Sequence, residues 1–172
     1  MARLVGDLLL LAQSDARQTV KLVPLALEQV VREVYEQALM LTEGPTVQAS
    51  CAVHAPVLGD ADRLTQLLWN LVENAVRHTP ADGQVDLELT VADGEAVVRI
   101  ADTGVGIAAE HLPRIFERFY KVDRARSRGK SGTGLGLAIA RHLTEAHNGR
   151  LDLQSTLGVG TVATLRLPLQ QQ

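Results

Sequence analysis

The sequence predicts an α/β protein in which helices cover one face of a mixed, mostly antiparallel sheet, and three patterns carry that prediction. Leu64, Leu67, Leu68, Leu71, Val72, Ala75 and Val76 recur at i, i+3, i+4 and i+7, the period of an amphipathic helix. Two β-rich runs, 84–90 and 96–101, are joined through Asp93-Gly94, a hairpin signal. A further hairpin, 150–155 with 161–167, turns at Gly158-Val159-Gly160. Late strands that pair antiparallel argue against a doubly wound parallel sheet, so a two-layer sandwich is expected.

Taken in order, residues 1–18 read as the end of a helix, with Leu4, Leu8 and Leu11 on one face. Residues 19–24 read as a short strand, with Pro24 marking its end or the start of the next helix, and 25–41 as a helix broken by Gly44-Pro45. A single strand, interrupted or ended near Pro56, is expected within 47–58. Asp60 is placed to cap a helix that stops at Thr79-Pro80. After the first hairpin, a short helix is expected around 108–119, then a basic segment from Arg114 to Lys130. The last helix, 135–146, ends at Asn148-Gly149.

The 172 residues suit one domain, and with 46% apolar but 3% aromatic residues the core must be built from Leu, Val, Ala and Ile. A net charge of -3 argues against a general nucleic-acid binder. Cys51 is the single cysteine, which excludes an intramolecular disulfide and a cysteine-based metal cluster. The run Leu8-Leu9-Leu10-Leu11-Ala12 is too short to span a bilayer. His54, His111, His142 and His147 show no metal-site spacing and fit solvent-facing or satisfied core roles.

Four features carry chemistry. Asn70, Asn74 and Arg77 share one flank of the helix beginning at Asp60; two amide oxygens and a cation there suit a hydrated magnesium ion with phosphate oxygens, or simply a polar flank. Asp102 follows a strand and precedes Gly104 and Gly106, so its carboxylate can accept from an exocyclic amine while the glycines admit a ring; an ordinary turn has the same pattern. Gly132-Thr133-Gly134-Leu135-Gly136-Leu137 opens a helix whose free N–H groups can hold phosphate. It is neither the dinucleotide fingerprint nor a P-loop. Between the two glycine runs, the cationic segment reads as a lid over an anion or as a solvated loop.

In order, Asn70-x-x-x-Asn74, Asp102-x-Gly104-x-Gly106, Phe116-Glu117-Arg118-Phe119, Gly132-x-Gly134-x-Gly136 and Gly158-x-Gly160-Thr161 resemble the N, G1, F, G2 and G3 boxes of sensor histidine kinases, within the wider Bergerat-fold (GHKL) ATPases and kinases. The resemblance covers about 20–169 and implies a two-layer α/β sandwich that binds Mg-ATP under a mobile lid, about 108–133. It implies that Asn74 ligates magnesium, that Asn70 lies beside it near the phosphates, and that Arg77 is a basic phosphate contact. His78 stands where members often place an aromatic against the nucleotide. Asp102 would receive the adenine amine, with Gly104, Gly106 and Ile107 shaping its pocket. Lys121, after Phe119-Tyr120, matches a basic residue that reaches the γ-phosphate. Gly132, Thr133, Gly134, Leu135, Gly136 and Leu137 would meet the phosphates at the lid base, and Thr161 completes the nucleotide set.

The activity implied is transfer of the ATP γ-phosphoryl group to a histidine, a reaction that needs mainly positioning and charge neutralisation. Asn70, Arg77 and Lys121 are the residues expected to serve it. No histidine stands in a His-Glu-x-x-Arg-Thr-Pro context, so the acceptor is expected on a helical hairpin of a parent kinase, with 1–18 its remnant and 19–172 the catalytic domain. The expected partners are that hairpin and, through the parent, a response regulator. The fragment is expected to be a cytoplasmic monomer from a dimeric parent that could be anchored in the inner membrane. A nucleotide-binding regulatory module without phosphotransfer, or another GHKL-type ATPase or serine kinase, is the alternative.

Overall fold

The computed structural model describes residues 20–41, 44–122 and 133–170. The helix expected over 1–18, Gly132 and most of the basic lid segment lie outside the described residues. Five strands form the main sheet: β2 (Thr46–Ser50), β4 (Gln84–Ala92), β5 (Glu95–Asp102), β6 (Arg150–Thr156) and β7 (Gly160–Pro168). Their order is β2-β4-β5-β7-β6, with β2 parallel to β4 and every other pair antiparallel. A separate ribbon pairs β1 (Val23–Ala26) with β3 (Pro56–Gly59). Three helices, α1 (Leu27–Leu39), α2 (Ala61–His78) and α3 (Gly136–Ala146), form the second layer, with α2 packed between the other two.

Alternation decides the layering. Val85, Leu87 and Leu89 of β4, Ala96, Val98 and Ile100 of β5, and Ala163, Leu165 and Leu167 of β7 are buried against the helices. Their sequence neighbours Glu88, Thr90 and Arg99 are exposed. Leu64, Leu67, Leu68, Leu71 and Val72 of α2 meet that face. All buried apolar side chains among the described residues are Leu, Val, Ala or Ile, as the composition requires.

The boundaries differ from expectation in three places. The run 47–58 is two strands rather than one. Residues between them cross from the main sheet to the ribbon, where Leu27 N–H donates to Ala55 O (3.0 Å) and Glu28 Oε2 accepts from Ala55 N–H (3.1 Å). Pro24 lies inside β1 instead of ending a strand, and α1 begins at Leu27; a two-stranded ribbon has open edges, where a missing N–H is tolerated. The helix expected over 108–119 shrinks to one 3-10 turn, Leu112–Arg114. This segment buries Ile115 but little else, too little packing to sustain a helix.

Capping follows the sequence closely. Asp60 accepts from Arg63 N–H (3.2 Å) at the start of α2, and Asn148 takes a left-handed φ of 56° just past α3. His147, 2% exposed, joins these two ends. Its Nδ1–H donates to Leu143 O (2.7 Å) while Nε2 accepts from Asp60 N–H (3.1 Å), which fixes a neutral tautomer.

Candidate functional site

Asp102 ends β5, and the strand register sets it directly beside Thr161 of β7. Its Oδ1 accepts from Gly104 N–H (2.8 Å) in a local turn and from Thr161 N–H (3.2 Å) across the strands. Oδ1 is thereby satisfied, and no donor among the described residues is assigned to Oδ2. Burial pushes the Asp102 carboxyl above the usual range, against the two N–H groups and nearby His78, which pull it down.

A shallow cleft opens between α2, α3 and the sheet. Asn74, Asp102, Leu137 and Thr161 line it, together with apolar side chains such as Leu71 and Ile100. Thus four residues singled out from the sequence, from α2, β5, α3 and β7, converge on one space. Apolar walls with a carboxylate and a hydroxyl at one end suit a flat ring with polar edge groups.

The neighbouring end of the cleft is built for a different ligand chemistry. Asn70 lies one turn before Asn74 on α2, facing Gly136 at the start of α3, whose built Cβ would lie 3.8 Å from Asn70 Oδ1. Asn70 Nδ2 is a buried side-chain atom without a hydrogen-bond partner. Among the described residues no side chain caps α3, which leaves its first N–H groups where the macrodipole favours an anion. An orphaned amide beside an uncapped helix start fits phosphate oxygens and their counter-ion.

The loop after β5 is pinned on both sides. Val105 N–H donates to His78 O (3.1 Å) at the end of α2, and Val105 O accepts from Gly158 N–H (2.8 Å) in the β6–β7 turn. Gly106 has φ 66°, and a Cβ there would overlap the Thr156 carbonyl oxygen. Ile107 N–H donates to Ser155 Oγ (2.8 Å). Ser155 also contacts Gly160 O and Thr161 Oγ1, each at 2.9 Å. Sequence reading passed over Ser155 because its partners come from cross-strand register, which one strand's pattern does not reveal.

The remaining predicted residues are not among those that line the cleft. Arg77 pairs with Glu73 one turn earlier (2.8 Å). At the end of α2 the His78 side chain keeps a solvent-exposed edge, and partial desolvation by the surrounding protein holds its imidazole below the usual range, helped by Arg77 and opposed by Asp102. Tyr120 OH shares a hydrogen bond with His111 Nδ1 (2.8 Å), and the Arg114 guanidinium lies 4.5 Å from the Tyr120 ring centre. Lys121 is exposed. Phe119 and Gly134 are clasped: Phe119 N–H donates to Gly134 O (2.9 Å), with Phe119 at φ 64° and Gly134 at φ 73°. A Cβ on Gly134 would lie 2.9 Å from the Phe119 carbonyl carbon, so a side chain would force the clasp open. Thr133 Oγ1 accepts from Leu135 N–H (3.3 Å) just before α3.

Residues 59–171 match the family described as histidine kinase-, DNA gyrase B-, and HSP90-like ATPases, and the chain belongs to that family. Within it, the chain is similar to the sensor histidine kinase RppB of Synechocystis sp., 38% identical over 98% of this chain and 38% of RppB. It also resembles the structure of full-length ShkA in complex with AMPPNP, with TM-score 0.81 and 32% identity over 99% of this chain and 36% of that one. The catalytic domain of the histidine kinase ThkA gives TM-score 0.71 and 25% identity over 86% of this chain and 95% of that domain. The fold is therefore the ATP-binding catalytic domain of the sensor histidine kinase type. The chain spans well under half the length of the curated relatives it matches. Among the described residues, no helix is long and apolar enough to cross a membrane.

Proposed function

We infer that this domain binds Mg-ATP and transfers the γ-phosphoryl group to a histidine on a helical hairpin of a parent two-component sensor kinase, which in turn serves a response regulator. The observation that carries the reading is the convergence of Asn74, Asp102, Leu137 and Thr161 on one cleft, with Asn70 and the start of α3 beside it.

Asp102 Oδ2 accepts the adenine amine, while Leu71, Ile100 and Leu137 cover the ring faces and exclude water. Asn70 and the first N–H groups of α3 hold phosphate oxygens, with Gly132, Gly134 and Gly136 at the lid base. Asn74 supplies an amide oxygen to magnesium, which when bound neutralises phosphate charge and orients the γ-phosphoryl group. Arg77 exchanges its Glu73 partner for phosphate, and His78 lies along the nucleotide at the mouth. Lys121, beside Tyr120 at the root of the lid, meets the charge that develops on the transferring group. On this reading residues 1–18 belong to the hairpin, residues 19–172 are the catalytic domain, and the domain works on the cytoplasmic side as a monomer borne by a dimeric parent.

Lys121→Ala separates transfer from binding. It should lower the rate of phosphorylation of a supplied hairpin by on the order of a hundredfold while changing ATP affinity only a few-fold. Single-turnover rates compared with calorimetric affinities check this, and equal losses in both would remove Lys121 from the transfer step.

A further inference from the structure

Ser155 lies outside the residues so far assigned to the nucleotide, yet three segments of the site meet at its hydroxyl. Strand register places Asp102, Thr161 and Ser155 side by side on β5, β7 and β6. Ser155 Oγ receives Ile107 N–H at 2.8 Å and contacts Gly160 O and Thr161 Oγ1 at 2.9 Å each. A hydroxyl has one hydrogen to give and two lone pairs to receive with. Gly160 O can only accept, so the Ser155 hydrogen goes there. For the third contact to be a hydrogen bond, Thr161 must then donate to Ser155.

That assignment fixes what Thr161 shows to the cleft. Its hydrogen is committed to Ser155, and its backbone N–H is committed to Asp102 Oδ1. What remains facing the cleft is oxygen lone pairs, next to the carboxylate of Asp102. We propose that Ser155 is a specificity-determining positioning residue: by holding the Thr161 hydroxyl as an acceptor beside Asp102, it gives the base pocket a two-acceptor wall selective for a purine bearing an exocyclic amine. This deepens the reading of Asp102 as the adenine contact and rests on it. Ser155 acts through Thr161 and touches no ligand itself.

The test compares affinities of the full chain for ATP and for purine riboside triphosphate, which lacks only the 6-amino group, by displacement of a fluorescent ATP analogue. Ser155→Ala releases the Thr161 hydrogen, which can then turn into the cleft and donate to a ring nitrogen. The preference for ATP should therefore narrow by about three- to tenfold, the worth of one neutral hydrogen bond gained or lost. Ser155→Thr keeps the hydroxyl and should restore the preference. Thr161→Val should narrow it too, and adding Ser155→Ala to that variant should change it no further. A preference that is unchanged in Ser155→Ala, with both nucleotides weakened equally, would make Ser155 a loop anchor only and overturn the proposal. An unchanged preference in Thr161→Val overturns it equally, whether or not Ser155→Ala folds. Failure of the wild-type chain to bind ATP sinks the adenine reading and this inference together, whereas ATP binding with an unaltered preference in the variants sinks the inference alone.

Discussion

On the proposed reading Asp102 holds two roles on two oxygens: Oδ1 ties the loop after β5 to β7 through Gly104 and Thr161 N–H groups, and Oδ2 takes the ligand. Asp102→Asn keeps an acceptor for both N–H groups but turns the ligand-facing atom into a donor. It should weaken ATP binding by on the order of a hundredfold, the worth of a charge-assisted hydrogen bond. Its effect on stability should have the opposite sign. The native Asp102 carboxyl titrates above its usual value because burial disfavours the charge, so ionised Asp102 opposes folding at neutral pH. That opposition is fully present above the raised native value, fades as pH falls toward the usual aspartate value, and is gone below it. Asp102→Asn should thus melt at or above the wild-type temperature at pH 7 and lose that advantage in acid. Melting curves across pH check the sign, and a variant markedly less stable than wild type at pH 7 would contradict it. Asp102 was legible in the sequence because strand, carboxylate and glycines are consecutive. Ser155 was not, since three partners on other segments define it.

At the scale of elements, two joints hold the site's walls together. His147 links the start of α2 to the end of α3 through Asp60 N–H and Leu143 O. His147→Leu fills similar space but strands the Asp60 N–H, while Leu143 O keeps the backbone N–H of residue 147 (3.2 Å), so it should cost about 1–3 kcal/mol. Chemical denaturation measures this, and a loss below about 0.5 kcal/mol would show that the joint carries little. The second joint is the loop after β5, squeezed between α2 and the β6–β7 turn at Gly106. Gly106→Ala should destabilise by about 1–3 kcal/mol, because the new Cβ meets Thr156 backbone rather than a side chain that can move. Wild-type stability in that variant would mean that the loop shifts freely. The helices forming these walls were readable from period and caps, as with Asp60 and Asn148. The 47–58 run was misread as one strand because a chain that leaves one sheet to join another keeps β-like composition throughout. The expected 108–119 helix failed because propensity without an apolar face to bury does not sustain a helix.

For the whole molecule, the two-layer architecture followed from the hairpins and the α2 period, and the structure adds the β2-β4-β5-β7-β6 order that brings residues 74, 102, 137 and 161 together. On the proposed reading, convergence of this kind supplies a cleft, a carboxylate for the base and an uncapped helix start for phosphate, and no histidine is among the described residues that line the cleft. His54 pairs with Glu28 beside β3, and His147 is locked in the core, so neither joins the cleft lining. The proposed function has this chain hold the phosphoryl donor and act on a histidine presented by another segment. Incubation with γ-labelled ATP and magnesium, with and without a supplied phosphoacceptor hairpin, tests it most directly. The account predicts acid-labile label on the hairpin alone, abolished by Asp102→Asn. Stable label on this chain without the hairpin, or no label on the hairpin while ATP is measurably bound, would contradict it.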